Sequence, residues 1–186
     1  MSPPAPRSVV RACHPDGDAS EVARIYNHYV RGSVATFEEV EVTPTEIRAR
    51  MRAICETHPW LVREEGGQLV GFAYARPWHT RSAYRHTVET TIYLDPERTG
   101  QQLGAPLYSE LLGRLVALGT RRAVAVIALP NDPSVRLHER LGFQKAGHLT
   151  EIGYKQGRWI DVGHWLWSAP GPGTGGGSFP RRLSGS

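Results

Sequence analysis

The spacing of apolar residues along the chain predicts four helices, two of them in the N-terminal third. In Asp18–Val30, apolar side chains recur every three or four residues, which is typical of an amphipathic helix. A second helix is expected from Thr43 to about Glu56. Its start is marked by Thr43-Pro44-Thr45-Glu46, which combines an N-cap Thr, a Pro at the first helical position and a Glu at the third.

The other two helices are predicted in the C-terminal half. From Leu103 onward, leucines recur every three or four residues and would form one apolar stripe. Gly119 follows this stripe, where the C′ residue of a helix belongs. The last and shortest helix is Pro133–Leu141, for which Asp132 is the expected N-cap.

Shorter segments with β-forming residues predict strands between these helices. In chain order they are Val9–Ala12, Trp60–Glu64, Leu69–Ala75, Thr87–Leu94, Arg122–Ala128, Gln144–Ile152 and Trp159–Trp167. Strands and helices alternate, so we expect an α/β domain built around one mixed sheet. After Ser168 the chain is rich in Gly, Pro and Ser. The expected organisation is therefore one domain over residues 1–168 and a disordered tail over residues 169–186.

Composition and charge narrow the classes of function. The net charge of +4 is small and its basic residues are scattered, which argues against nucleic-acid binding. No apolar run reaches the roughly 20 residues that a membrane span needs, and the first residues lack the apolar stretch of a signal peptide. We therefore expect a cytoplasmic protein. The two cysteines, Cys13 and Cys55, show no metal-ligand spacing, and no metal is expected.

One segment carries most of the functional information. The strand Val124–Ala128 runs into Asn131, then into a short helix that holds His138, and then into Gly142-Phe143. This order resembles the C-terminal half of the GCN5-related (GNAT) N-acetyltransferases. Within that family, the segment LPNDPSVRLHE closely resembles the phosphinothricin N-acetyltransferases. The resemblance extends over roughly Val9 to Trp167. It implies the GNAT fold, a central mixed, mostly antiparallel sheet flanked by helices, with acetyl-CoA as co-substrate and a homodimeric assembly.

The segment Thr99–Ala105, directly before the leucine-striped helix, lies where such enzymes bind the pyrophosphate of CoA. A helix N-terminus offers unpaired N–H groups and a positive dipole end to an anion. The family pattern is Gln/Arg-x-x-Gly-x-Gly/Ala, but Thr99 and Gln102 stand here at its first position and its middle glycine. Gln102 can still donate its N–H if its backbone is α-helical, so we expect a weakened site. The alternative is an ordinary glycine-bearing helix start.

The resemblance implies that three parts of the chain hold acetyl-CoA. The backbone of one strand would pair with the pantetheine arm, the loop would bind the pyrophosphate, and a side chain after the next strand would hold the arm from the other side. The residues are Ile92, Tyr93, Leu94, Gly100, Gln101, Gln102, Leu103, Gly104, Ala105 and Asn131. For Asn131, a simple turn role beside Pro130 remains the alternative.

Acetylation of an amino acid requires a neutral amine, which is mostly protonated at neutral pH, so the site needs a base. Glu89, just ahead of the expected cofactor-binding strand, matches the catalytic position of the family. His138 matches the position of the acid or of a substrate contact. The alternatives are a solvent-facing edge position for Glu89 and a partly buried helix histidine for His138. Neither cysteine lies in these motifs, which argues for direct transfer without a covalent enzyme intermediate.

A glutamate analogue with two anionic groups requires cations and hydroxyl groups. By resemblance, the acceptor site contains Phe37, His79, Arg81, Tyr84, Thr91 and Tyr108. His79 stands where the family commonly has Lys and would bind an anion less strongly. Arg76 and Arg81 can also be read as residues of a solvated loop, and for Arg76 we favour that interpretation. Lys155 is expected to reach the acceptor or a partner subunit.

These expectations combine into one function. The chain is expected to transfer the acetyl group of acetyl-CoA to phosphinothricin, demethylphosphinothricin or a similar small glutamate-like amino acid, and so to confer resistance to it. One alternative is acetylation of another small amine, such as methionine sulfoximine. The other is a CoA-binding module with little catalysis.

Overall fold

The computed structural model of the protein describes residues 8–171. Seven strands form one sheet: β1 (Ser8–Ala12), β2 (Trp60–Glu65), β3 (Gln68–Pro77), β4 (Thr87–Leu94), β5 (Arg122–Leu129), β6 (Gln144–Lys155) and β7 (Arg158–Ser168). Four helices flank it over this range: α1 (Pro15–Gly32), α2 (Pro44–Cys55), α3 (Gly104–Ala117) and α4 (Asp132–Arg140). All eleven elements were predicted, with bounds that differ by a few residues.

The strands lie in the order β1-β2-β3-β4-β5-β7-β6. Neighbouring strands are antiparallel except β4 and β5, which are parallel. This confirms the predicted mixed, mostly antiparallel sheet. The parallel pairing joins Thr87–Glu89 to Arg122–Val124 and stops there, so the two strands part beyond this point.

The core has two halves, one on each face of the sheet. Helices α1 and α2 cover the first face, where Val22, Ile25 and Met51 are almost completely buried. Helix α3 covers the other face with its leucine stripe, and Val135 of α4 packs against the same cluster. Because side chains alternate along a strand, β4 sends Glu89 and Thr91 toward the first face and Thr90 toward the second. A site at β4 can therefore draw on residues from both faces.

Local sequence signals explain how the helices begin and end. Thr43 and Glu46 form the predicted capping box at the start of α2. Gly119, with φ +81°, follows the end of α3, and the N–H of Thr120 bonds to the carbonyl of Leu115, as in a Schellman motif. The prediction that Asp132 caps α4 is wrong. The side chain of Asn131 accepts from the N–H of Ser134, and Asp132 is already helical.

The ends of the chain are only partly described. Ala169, placed in the predicted tail, donates its N–H to the carbonyl of Arg121. The remaining tail prediction falls on residues 172–186, which lie outside the described range. None of the helices between residues 8 and 171 is long and apolar enough to span a membrane. Over the same residues, no group of three or more His, Cys, Asp or Glu side chains is arranged to hold a metal ion.

Candidate active site

A cavity of about 1300 Å³ opens where β4 and β5 part. Its walls include residues 89–94 of β4 and residues 125–128 of β5. β4 pairs with β3 along one edge, so its other edge faces the gap. β5 pairs with β7 along the edge that points away from the gap, so its near edge faces the gap as well. The gap therefore presents two rows of backbone groups to whatever fills it. Cys13 and Cys55 do not line this cavity.

One end of the cavity lies between β4, β5 and the starts of α3 and α4. Of the predicted cofactor residues, all except Gln101 line it: Ile92, Tyr93, Leu94, Gly100, Gln102, Leu103, Gly104, Ala105 and Asn131. Gly104 opens α3 in a confined place. A Cβ atom there would lie 3.1 Å from Cδ2 of Leu137 and 3.4 Å from Cδ1 of Leu94. Gly104 thus lets the start of α3 pack closely on β4 and α4. The free edges of β4 and β5 and the start of α3 together fit an extended ligand that carries amides and phosphates.

The start of α3 is suited to an anion. Its N-cap residue, Leu103, has no side chain that can cap the first N–H groups. The buried guanidinium of Arg63 donates to the carbonyl of Leu103 at 3.1 Å and also pairs with Glu65. Arg63 thus fixes the carbonyl of Leu103, and Glu65 balances its charge. This contact could not be predicted from the sequence, because a lone Arg in a strand carries no local signal of it.

The backbone of Gln102 does not have the right-handed helical conformation that was the condition for its N–H to serve the cofactor. Its φ of +58° lies in the left-handed region, which favours glycine. The loop therefore has at position 102 a conformation that glycine would adopt without strain. A left-handed non-glycine residue costs about 1–2 kcal/mol. This strain concerns the stability of the loop, and the weaker cofactor binding expected from the sequence stays a prediction.

We expect Gln102→Gly to raise the free energy of unfolding by about 0.5–1 kcal/mol, because relief of the strain outweighs the greater freedom of glycine in the unfolded chain. Gln101→Gly is the matched control. Gln101 is also exposed but has no positive φ, so its replacement should lower stability by about 0.5–1 kcal/mol. Urea unfolding measures both changes. Equal signs for the two variants would contradict the strain at position 102.

Asn131 has a local structural role at a position from which the predicted contact with the cofactor stays open to it. It lines the cavity and it also caps α4, since its side-chain oxygen accepts from the N–H of Ser134 at 3.3 Å. The cap fixes the orientation of the side chain at the end of β5. The turn role is therefore real, and it positions the residue at the edge of the cleft.

The other end of the cavity contains Glu89, whose side chain is 16% exposed. Its Oε1 accepts a hydrogen bond from Nη2 of Arg76 at 2.7 Å, and Arg76 also lines the cavity. The two residues are direct partners in the register of β3 and β4. The interpretation of Arg76 as a solvated loop residue is wrong, because β3 continues as far as Pro77.

A second ion pair lies at the same end. Arg50 of α2 binds both carboxylate oxygens of Glu38, at 2.7 and 3.1 Å. The hydroxyl of Tyr26 donates to Glu38 and lies 2.8 Å from that of Thr36. Burial raises the pKa of Tyr26 to about 12, which keeps its proton in place. Burial also acts to raise the pKa of Glu38, but the hydrogen bonds from Arg50 and Tyr26 lower it overall.

Four residues at this end were not predicted to belong to the acceptor site: Tyr26, Glu38, Arg50 and Arg76. Tyr26 has the helical spacing of a core residue, and it is indeed buried, while its hydroxyl bonds to Thr36 and Glu38 of the cavity lining. Of the predicted acceptor residues, Phe37 and Thr91 line this end together with Tyr74 of β3. The acceptor end is thus built mainly from α1, α2, β3 and the loop between the two helices.

A buried chain of hydrogen bonds runs behind the cavity wall formed by Thr90 and His138. Tyr108 lies between them, with its hydroxyl 2.7 Å from Oγ1 of Thr90 and 3.1 Å from Nε2 of His138. Nδ1 of His138 must donate to the carbonyl of Ser134 at 2.7 Å, since a carbonyl only accepts. Burial lowers the pKa of His138, so the neutral ring accepts the proton of Tyr108 at Nε2.

Four of the six predicted acceptor residues lie away from this cavity. Tyr108 is completely buried and reaches it only through Thr90 and His138. Tyr84 lines a separate recess of about 380 Å³, and the ring of His79 packs beside it. Arg81 is exposed on the same loop. Within a single chain, therefore, His79, Arg81 and Tyr84 do not lie in the same cavity as Glu89.

The sequence matches the acetyltransferase (GNAT) domain family over residues 12–165. A phosphinothricin N-acetyltransferase of Streptomyces viridochromogenes is 45% identical over 148 residues, which cover 80% of this chain and 81% of that enzyme. An L-methionine sulfoximine/L-methionine sulfone acetyltransferase of Salmonella typhimurium is 34% identical, over 78% of this chain and 85% of its own length.

Solved structures agree with the sequence relatives. The crystal structure of a GNAT superfamily phosphinothricin acetyltransferase from Sinorhizobium meliloti in complex with AcCoA has a TM-score of 0.83 with this fold. The two chains are 37% identical, and the match covers 87% of this chain and 88% of that one. The likeness therefore extends over the strands, the helices and the cleft described above.

Proposed function

Because the chain belongs to the GNAT family of acetyl-CoA-dependent N-acetyltransferases and has phosphinothricin N-acetyltransferases among its relatives, we propose that it acetylates phosphinothricin, demethylphosphinothricin or a similar small glutamate-like amino acid. Acetyl transfer to an amino-acid-like substrate is the activity common to these relatives. The finer choice of acceptor, and the resistance that it would confer, are the content of the proposal.

The observation that carries the proposal is the position of Glu89. Its carboxylate lines the cavity at the last residue pair before β4 and β5 part, where the cofactor end meets the acceptor end. Glu89 takes a proton from the ammonium group of the acceptor, directly or through one water. Arg76 beside it compensates the charge of the carboxylate before the acceptor enters.

Bound acetyl-CoA supplies the thioester whose acetyl group passes to the amine. The backbone of residues 92–94 and Asn131 would hold its pantetheine arm, and the N–H groups at the start of α3 would bind its pyrophosphate. Behind the wall formed by Thr90 and His138, the oxygen of Tyr108 keeps its proton, because burial raises the pKa of this hydroxyl. His138 orients that proton rather than supplying one from its own Nε2.

The acceptor end supplies two guanidinium groups for the two anionic groups of a glutamate analogue. Arg76 and Arg50 line this end, each already paired with one carboxylate. A planar guanidinium can hold two carboxylate or phosphinate oxygens at once, so each can exchange or share its partner. The aromatic rings of Tyr74 and Phe37 close the space around the apolar stem of the acceptor.

The test is CoA release by the purified protein with phosphinothricin, demethylphosphinothricin or methionine sulfoximine, and without an amine. We expect turnover of about 1 s⁻¹ or more with the first two. Turnover with methionine sulfoximine alone would contradict the proposed acceptor and favour the alternative that the methionine sulfoximine relatives bring forward. Tight CoA binding without amine-dependent release would leave only a CoA-binding module. The homodimer and the cytoplasmic location stay predictions.

A further inference from the structure

The loop between α1 and α2, residues 33–43, borders the acceptor end of the cavity. Thr36, Phe37 and Glu38 of this loop all line it. On its other side, the same loop contacts the end of β6, which lies more than 100 residues later in the chain. The contacts between these two segments therefore decide where one wall of the acceptor end lies.

The first contact is a buried amine. Nζ of Lys155, a residue only 3% exposed, donates to the carbonyl of Val30 at 2.9 Å and to that of Thr36 at 2.8 Å. Hydrogen bonds from an ammonium group are stronger than neutral ones, particularly away from water. The expectation that Lys155 reaches the acceptor is not met, because its amine binds the two ends of a short segment that precedes Phe37.

The second contact explains a glycine. Gly153 has no positive φ, so its backbone conformation would accept any side chain. A Cβ atom at this position would nevertheless overlap Cε2 and Cζ of the Phe37 ring. Carbon atoms pack at about 3.5–4.0 Å, so even alanine must displace the ring. The ring is the far end of a side chain that is 43% exposed, so it can turn away without disrupting the backbone.

We propose that Gly153 and Lys155 set the size of the acceptor end by fixing Phe37 and its loop, and so act as specificity-determining residues outside the cavity. This rests on the proposed function, because it takes Phe37 as a wall of the acceptor site. Neither residue lines the cavity, so both act through the loop: Gly153 leaves room for the ring, and Lys155 holds the carbonyls on either side of the turn that presents it.

The main test is Gly153→Ala, which pushes the ring of Phe37 toward the cavity. We expect the KM for phosphinothricin to rise about 10-fold, and that for demethylphosphinothricin, which is one methyl smaller, to rise less. The KM for acetyl-CoA should stay within about 2-fold, because the cofactor end is untouched. Gly113→Ala is the matched control, since a Cβ there meets open space on the exposed side of α3. It should leave both constants unchanged.

A double-mutant cycle separates this role from a general loss of structure. In the Phe37→Leu background no ring remains to be displaced, so adding Gly153→Ala should change the acceptor KM by less than about 2-fold. Lys155→Met keeps the stem and removes the donor, and should raise the KM for both acceptors alike. An equal effect of Gly153→Ala in both backgrounds would overturn the proposal.

Failure of this proposal can be distinguished from failure of the proposed function. If the unaltered protein acetylates none of the acceptors, the proposed function fails. The free energies of unfolding of the same four proteins then decide the contact: coupling between positions 37 and 153 supports it, and additive changes overturn it.

Discussion

Replacement of Glu89 by Gln should lower kcat by about 10²- to 10⁴-fold, because the amide cannot accept the proton of the acceptor ammonium. The amide oxygen can still accept the hydrogen bond from Arg76, so the geometry of this end should persist. The KM for acetyl-CoA should be unchanged within about 2-fold, since the loss falls on a group used only in the reaction. Steady-state kinetics of purified protein, with both substrates varied, measure this.

The matched control for Glu89→Gln is Glu110→Gln. Glu110 is a half-exposed residue of α3 whose ion pair with Arg114 is worth only a few tenths of a kcal/mol. This variant should keep full activity and nearly full stability. If Glu89→Gln retained the kcat of the unaltered protein while folded, Glu89 would not be the base, and the proposed reaction would need another group at this end of the cavity.

A negative charge at the start of α3 should weaken the cofactor site without weakening the fold. Ala105 lines the cavity in the first turn of α3. In Ala105→Glu the new carboxylate would repel the pyrophosphate of acetyl-CoA by about 2 kcal/mol, which corresponds to a KM about 30-fold higher. The same carboxylate interacts favourably with the helix dipole, by about 0.3–1 kcal/mol. Stability and cofactor affinity should therefore change in opposite directions.

Ala105→Gln separates charge from size in this experiment. Gln has nearly the same shape as Glu but no charge, so its KM for acetyl-CoA should stay close to that of the unaltered protein. Added salt should narrow the gap between the two variants, because it screens charges that face solvent. Equal KM values for Glu and Gln at low salt would show that the start of α3 does not bind an anion.

The elements of the fold could be predicted because their signals are local. The capping box at Thr43, the leucine stripe of α3 and the glycine at position 119 each lie within a few residues of what they specify. The same holds for Glu89 and Asn131, which occupy fixed places in short motifs. The N-cap of α4 was assigned one residue too late, because Asn131 and Asp132 are both good caps and only the backbone decides between them.

The acceptor end was harder to predict because it depends on contacts between distant segments. Arg76 meets Glu89 through the register of β3 and β4, and the nine residues that connect these strands, 78–86, give no turn signal that would fix the register. Arg50 and Tyr26 come together only when α1 packs on α2. The conformation of Gln102 could not be predicted for a different reason. Its positive φ is imposed by the loop, whereas glutamine itself does not favour it.

The three residue pairs that join β4 to β5 have a consequence for how long the protein survives in a cell. Beyond them, each half of the sheet offers amides and carbonyls that no neighbouring strand pairs and that a bound ligand can pair. A ligand that bridges the gap adds its binding free energy to the free energy of unfolding of both halves at once. The protein should therefore resist proteases better when this ligand is abundant than when it is scarce.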